Sequence, residues 1–217
     1  MIMPSKKLLF IHIPKTGGTT IGNIIHPYDD PLICSNKSLG KRYADILKGE
    51  EFHFAEHQNF TYYARHTEKL GMDISSFFVF AFTRNPYSRL YSTWKFIKKQ
   101  ISVGNSLFTD QYEHGVKKSF ASWIETLTKE NVYSWCQRQS WFVKKNQCNF
   151  VGRYENFEID LKKLLDIIKY RCSNIPTFNQ SSATNEYKFH YNKKRKDIVY
   201  TLFKSDFTEF HYEREKL

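Results

Sequence analysis

The chain has 217 residues, of which 41% are hydrophobic and 17% aromatic. This composition is typical of a globular protein and excludes a fibrous or disordered chain. The 33 Lys and Arg residues outnumber the 22 Asp and Glu residues and give a formal net charge of +11. Such a charge favours an anionic partner, but it does not choose between a nucleotide, an acidic glycan, a nucleic acid and an acidic membrane surface.

The sequence offers no pattern for a metal site or a membrane anchor. None of the four cysteines belongs to a Cys-x-x-Cys pair, and the eight histidines are scattered rather than spaced as zinc ligands. The first apolar run, residues 8–13, is far too short to cross a membrane. We therefore expect no metal, no transmembrane segment and no targeting segment, and hence a cytoplasmic location.

The first predicted element is a strand over residues 8–13, because this run is apolar apart from His12. A glycine-rich turn follows, and we call residues 15–20 (Lys-Thr-Gly-Gly-Thr-Thr) the glycine loop. A helix with three isoleucines on one side is predicted to begin near Thr19. Adjacent glycines let a backbone approach an anion closely, and a helix N-terminus adds about half a positive charge. With Lys15 as a further charge, the glycine loop predicts a phosphate-binding site.

The order of residues in the glycine loop differs from that of a nucleotide triphosphatase. In those proteins a lysine and a hydroxyl residue follow the glycines, and the hydroxyl binds magnesium. Here Lys15 precedes Gly17 and Gly18. The order therefore argues for an anion that is bound without a metal.

A second predicted phosphate site surrounds Arg84. Residues 77–82 form the strongest strand candidate, and residues 83–86 (Thr-Arg-Asn-Pro) end it. Pro86 suits the first position of a helix, and apolar residues at helical spacing follow it. Ser92 lies eight residues after Arg84, about two helical turns along. Arginine can grip a phosphate bidentately, and a serine hydroxyl can add one hydrogen bond.

The remaining elements continue the alternation of strands and helices. Strands are predicted over residues 51–56 and 148–153, and helices over residues 157–168 and 198–207. This alternation predicts an α/β fold, a three-layer sandwich with a central parallel sheet and ligands at the carboxyl ends of the strands. Because no shift in composition marks a boundary, we expect a single domain over residues 1–217.

Two segments resemble the donor-binding motifs of carbohydrate sulfotransferases. Residues 13–20 (Ile-Pro-Lys-Thr-Gly-Gly-Thr-Thr) are similar to their 5′-phosphosulfate loop, and residues 82–90 (Phe-Thr-Arg-Asn-Pro-Tyr-Ser-Arg-Leu) to their 3′-phosphate segment. Weaker likenesses follow in order at residues 151–161 and 206–212. The resemblance implies a fold related to P-loop nucleotide kinases, with 3′-phosphoadenosine 5′-phosphosulfate (PAPS) as sulfuryl donor. It also implies 3′-phosphoadenosine 5′-phosphate (PAP) as product and no metal.

The resemblance also implies roles for individual residues. Lys15 would stabilise the bridging oxygen while its bond to sulfur breaks, and Arg84 and Ser92 would hold the 3′-phosphate. Arg153 and Tyr154 would lie near the adenosine, although packing on the following helix explains Tyr154 equally well. The expected donors around the 5′-phosphosulfate are the N–H and hydroxyl groups of Lys15, Thr16, Gly17, Gly18, Thr19 and Thr20.

The acceptor hydroxyl needs a general base, and histidine titrates in the useful range. His57 is the first choice, because it follows the second predicted strand and resembles the histidine that relatives have there. Glu56 is an alternative, since a one-residue shift of strand register would exchange the two, and a structural role for His57 also stays open. His12 is expected to be a hydrogen-bonded core residue. A loop at residues 179–182 could close over the nucleotide.

A carbohydrate or glycolipid is the acceptor that the resemblance implies. Residues 101–147 lie between the nucleotide segments, where such enzymes set the identity of the acceptor. Basic residues there would favour an acidic sugar chain, or they could equally be a solvated face; the expected lining is Arg138, Gln139, Lys144 and Lys145. Two other functions stay open: a small-molecule kinase, which the loop order disfavours, and a basic nucleic-acid-binding module. No named nucleic-acid motif is present, so we expect no nucleic-acid partner.

Overall fold

The structure, a computed structural model, describes residues 1–25, 57–69, 71–105, 118–132, 134–170 and 185–215. The strands in these ranges are β1 (Ile2–Met3), β2 (Leu8–Ile11), β3 (Phe78–Thr83) and β4 (Phe150–Arg153). The α-helices are α1 (Gly18–Ile25), α2 (Phe60–Lys69), α3 (Pro86–Ser102), α4 (Phe120–Ile124), α5 (Gln139–Phe142), α6 (Phe157–Ile167) and α7 (Lys193–Glu209). The strand predicted at residues 51–56 and the loop at residues 179–182 lie outside the described residues.

The chain divides into two compact units. The first comprises Met1–Thr83 and Trp141–Phe178, and the second comprises Arg84–Ser140 and Asn179–Leu217. The expectation of one domain over residues 1–217 therefore stays a prediction.

The sheet of the first unit is mixed. β2 pairs in parallel with β3, and β3 with β4, but β1 is antiparallel to β2 at the edge. The link between β1 and β2 is a single 3₁₀ turn, Pro4–Lys6, followed by Lys7 at a φ of 50°. A parallel pair needs a crossover of about a dozen residues or more, so a link this short permits only an antiparallel pair. The prediction of a parallel sheet was therefore wrong at this edge strand.

Side chains cover both faces of the sheet, which confirms the predicted α/β sandwich of three layers. Successive strand residues point to opposite faces. On one face Leu9 and Val79 pack with Tyr63 of α2. On the other face Phe10 and Phe80 pack with α1 and α6. The residues that α1 and α6 contribute to this second face are Ile21, Ile24, Ile25, Leu161, Leu164 and Leu165.

The second unit is built around α3 and α7, which contact each other. Pro86 occupies the first turn of α3, as predicted, and the side chain of Asn85 accepts the N–H of Tyr87 at 2.9 Å. Such a cap stabilises a helix by about 1 kcal/mol. The ring of Tyr87 packs edge-on against Phe207 of α7, with centroids 5.3 Å apart. The start of α3, next to Arg84, is therefore fixed by both a cap and aromatic packing.

Candidate functional site

Two residues of the glycine loop have a left-handed backbone. Lys15 and Gly17 have positive φ angles of 68° and 93°, and Thr16 between them does not. A backbone in which left-handed and right-handed residues alternate turns its N–H groups to one side and forms an anion-binding concavity. A positive φ is uncommon for a residue other than glycine, and such residues cluster at functional sites. The geometry therefore agrees with the phosphate-binding site that the sequence predicts.

The two glycines of the loop are also sites of close packing. A Cβ atom added at Gly18 would lie 1.9 Å from both Cδ2 and Nε2 of His12. A Cβ atom added at Gly17 would lie 2.4 Å from Cε2 of Phe157, the first residue of α6. The loop therefore lies directly against the end of β2 and the start of α6.

The hydroxyl of Thr16 forms a hydrogen bond within the protein. Thr16 is fully buried, and its Oγ1 donates to the carbonyl oxygen of Ile13 at 2.9 Å. The expectation that this hydroxyl contacts the phosphosulfate was therefore wrong, and only the N–H of Thr16 can serve as a ligand donor. Thr20 is also buried, whereas Thr19 is exposed.

His57 lies beside His12, which stands between β2 and the glycine loop. Its Nδ1 is 2.9 Å from the carbonyl oxygen of His12, and the two ring centroids are 4.3 Å apart. A carbonyl oxygen only accepts, so Nδ1 of His57 carries the proton, and Nε2 is the basic nitrogen of the neutral ring. This tautomer suits a general base that acts through Nε2. The alternative base Glu56 lies outside the described residues.

His12 is buried, as expected, but it is not hydrogen-bonded as expected. Its ring stacks on Phe10 with centroids 5.4 Å apart, and its Nδ1 has no hydrogen-bond partner among the described residues. Burial lowers the pKa of His12 well below its usual value, and interactions with His57, the N-terminal ammonium group and Lys15 lower it further. His12 is therefore neutral at pH 7.

In the first unit, Arg153 is the last residue of β4, and Tyr154 follows it at the carboxyl end of the strand. The backbone N–H of Arg153 donates to Oδ2 of Asp160 at 2.9 Å. The ring of Tyr154 lies 5.9 Å, centroid to centroid, from Phe157, which itself lies against Gly17. Tyr154 thus packs on the first residue of α6, and its contact with the adenosine stays a prediction.

In the second unit, both the main chain and the side chain of Arg84 are held. Its backbone N–H and carbonyl each form a 2.8 Å hydrogen bond with the side chain of Gln139. Its Nε donates to Oγ of Ser88 at 2.9 Å. Ser92 is half-buried in α3, and its role beside Arg84 stays a prediction.

The expected acceptor lining is only partly at the surface. Gln139 is 0% exposed, so the expectation that it lines an acceptor site was wrong. Its side chain supports Arg84 instead. Arg138, Lys144 and Lys145 are exposed.

Sequence reasoning gave no individual role in these sites to Ser88 or Phe157, and it gave Gln139 a different role. Ser88 lies four residues after Arg84 at the start of a helix, and this spacing could have identified it. No local pattern indicates that Phe157 packs against Gly17. Gln139 is 55 residues from Arg84, and no local pattern links the two.

A sequence model of the sulfotransferase family matches residues 1–213. The chain belongs to the sulfotransferase family. A search of curated proteins and a search of solved structures each found no match. The family supports a sulfotransferase activity for this protein, and its members generally use PAPS as the sulfate donor.

In the described part of the chain, no group of three or more His, Cys, Asp or Glu residues is placed to hold a metal ion. None of the helices that the structure describes combines the length and the apolar character needed to cross a bilayer.

We expect Gly18→Ala to lower the free energy of unfolding by about 1–3 kcal/mol, the usual cost of overpacking a core. The reason is that the added Cβ meets the buried ring of His12 at 1.9 Å. Gly22→Ala is the matched control, because Gly22 lies in the same helix and its nearest atom is the flexible end of Met1 at 3.2 Å. Urea unfolding of both variants measures the difference. A Gly18→Ala protein as stable as the wild type would contradict the packing.

We also expect His12 to make stability depend on pH. Its pKa is lowered in the folded protein from an ordinary value of 6.5, so below that pH the unfolded chain binds more protons than the folded one. The free energy of unfolding should therefore fall as the pH falls below 6.5, by at most about 1.4 kcal/mol per pH unit from this group. Urea titrations of wild type and His12→Asn at several pH values test this. Equal pH slopes in the two proteins would refute it.

Proposed function

We propose that this sulfotransferase transfers a sulfuryl group from PAPS to a hydroxyl group of a carbohydrate acceptor. The observation that carries the proposal is a glycine loop with positive φ angles at Lys15 and Gly17, together with His57, whose Nδ1–H bond to His12 leaves Nε2 as the basic nitrogen. Sulfuryl transfer in line needs alignment, stabilisation of the leaving oxygen and a base for the attacking hydroxyl. The family, whose members generally use PAPS, supports the same conclusion.

The residues of the glycine loop fit a 5′-phosphosulfate group. The positive φ angles of Lys15 and Gly17 suit an anion site, and neither glycine carries a side chain. The bound donor would supply a sulfuryl group attached to a phosphate that leaves readily. Lys15 would stabilise the negative charge on the leaving oxygen through its Nζ. The proposed loop donors are the N–H groups of Lys15, Thr16, Gly17, Gly18, Thr19 and Thr20 and the hydroxyls of Thr19 and Thr20.

His57 is the proposed general base. Its Nε2 would take the proton of the acceptor hydroxyl while the hydroxyl oxygen bonds to sulfur and the bond from sulfur to the 5′-phosphate oxygen breaks. The Nδ1–H bond to the carbonyl of His12 holds the required tautomer and favours the charge that develops on the ring. A positioned base contributes about 10²- to 10⁴-fold to a rate.

The nucleotide and the acceptor would be held by groups beyond the loop. We assign the 3′-phosphate to Arg84 and Ser92, and the adenosine to the neighbourhood of Arg153 and Tyr154. The acceptor would be a carbohydrate or a glycolipid bound by the region of residues 101–147. The net charge of +11 favours an acidic acceptor.

The direct test is transfer of label from ³⁵S-PAPS to a panel of acidic and neutral glycans, with and without EDTA. We expect labelled glycan and PAP to form in equal amounts, at a rate that the chelator does not change. Failure to label any carbohydrate would refute the acceptor class. Phosphoryl transfer from ATP in place of sulfuryl transfer would refute the donor.

His57→Asn should lower kcat by about 10²- to 10⁴-fold and leave the affinity for PAP within about threefold of wild type. Asparagine retains an N–H donor for the carbonyl of His12 but has no group in place of Nε2. Single-turnover rates and calorimetric PAP titrations measure the two effects.

His66→Asn is the matched control for this test. Nδ1 of His66 also lies near a backbone carbonyl oxygen, that of Tyr62 at 2.6 Å in α2, so the substitution makes the same chemical change away from the loop. We expect its kcat to stay at the wild-type value. Wild-type turnover in His57→Asn, or equal losses in both variants, would remove His57 from the mechanism.

A further inference from the structure

The side chain of Gln139 forms a pair of hydrogen bonds with the main chain of Arg84. Its Oε1 accepts the N–H of Arg84 at 2.8 Å, and its Nε2 donates to the carbonyl of Arg84 at 2.8 Å. Only one orientation of the amide satisfies both groups, since an N–H only donates and a carbonyl only accepts. The N–H belongs to the peptide group before Arg84 and the carbonyl to the one after it. The pair therefore restrains both backbone dihedrals of Arg84 and with them the direction of its side chain.

Asp206 of α7 holds Gln139 in turn. Its two carboxylate oxygens accept the backbone N–H groups of Gln139 and Ser140, each at 2.8 Å. Asp206 is 0% exposed and Arg89 is 1% exposed. Burial raises the pKa of Asp206, and the charge of Arg89 together with the two N–H bonds opposes that shift. A buried group with these partners is costly to displace, so Gln139 has a rigid support.

The side chain of Arg84 is restrained at a further point. Its Nε donates to Oγ of Ser88 at 2.9 Å, and that hydroxyl donates to the carbonyl of Asn85 at 3.2 Å. This bond uses one of the five N–H donors of the guanidinium group. The backbone of Arg84 and the Nε of its guanidinium group are thus both held in place, as preorganised recognition of a phosphate requires.

We propose that Gln139 is a positioning residue that aims Arg84 at the 3′-phosphate of the donor nucleotide, with Asp206 as its support. The inference rests on the proposed function, in which Arg84 binds that phosphate. A role confined to structure would have a different signature: loss of Gln139 would lower stability and leave the preference for a 3′-phosphorylated nucleotide unchanged.

The test measures how much the 3′-phosphate adds to binding. We define R as the dissociation constant of AMP divided by that of PAP, both measured by calorimetry on the full chain. R should be well above one for the wild type and fall close to one in Arg84→Met. Gln139→Met, which keeps the length of the side chain and removes both hydrogen bonds, should lower R about tenfold, the size of one charge-assisted hydrogen bond. The affinity for AMP should change little.

Three points distinguish an effect on the orientation of Arg84 from an effect on folding. An unfolded fraction of the protein weakens the apparent affinities for AMP and PAP by the same factor, so it cancels in R. Gln139→Asn keeps the amide but is one methylene too short to reach both groups, so it should also lower R. Gln137→Met is the matched control, because within the described residues the side chain of Gln137 accepts only the N–H of the neighbouring Arg138, at 2.9 Å. Its R should equal that of the wild type.

The double variant Gln139→Met with Arg84→Met should have the R of Arg84→Met alone, since a positioning residue acts only through the group it positions. If Arg84→Met lowers R and neither Gln139 variant does, the inference is overturned and the proposed function stands. If R is near one in the wild type, or is unchanged in Arg84→Met, the assignment of the 3′-phosphate is overturned and the inference with it.

Discussion

The ring of His12 packs so closely against Gly18 that no side chain fits in place of the glycine hydrogen. This contact joins the end of β2 to the start of α1 and so sets the path of the glycine loop between them. It also fixes the residue whose carbonyl receives the Nδ1–H of His57. One contact between a strand end and a helix start therefore shapes the proposed anion site and aligns the proposed base. A neutral His12 suits this place, because burial already opposes its protonation and Lys15 and His57 are close by.

Buried polar side chains act on the backbone in both units. In the first, the hydroxyl of Thr16 holds the carbonyl of Ile13 at the entry to the glycine loop. In the second, the amide of Gln139 holds both peptide groups around Arg84. Each of these side chains forms its hydrogen bonds in the folded protein, next to a group that we assign to the donor. The conformational entropy of ordering these groups is therefore lost during folding, and this loss does not weaken binding of the donor.

The sequence was sufficient to predict the features that depend on local pattern. The apolar run before Arg84 and the proline after it predicted β3 and the start of α3. It was not sufficient for β1, whose two residues are too few to carry a periodic signal. Nor could it predict that Gln139 supports Arg84, because a bond between a side chain and a distant main chain depends on the packed fold. The same limit applies to the hydroxyl of Thr16, which a loop sequence alone presents as a ligand donor.

The positive φ of Lys15 accounts for the unusual order of residues in the loop. A left-handed residue other than glycine costs about 1–2 kcal/mol, and such a conformation persists only where the surrounding structure imposes it. Here the chain must turn between β2, which ends at Ile11, and Gly18, which packs on His12. Within this turn Lys15 has a positive φ before the glycines are reached, and Gly17 follows with a φ of 93°. In the proposed function, Lys15 would therefore supply both a backbone N–H and an ammonium group to the donor, whereas a lysine placed after the glycines would supply its ammonium group from the helix.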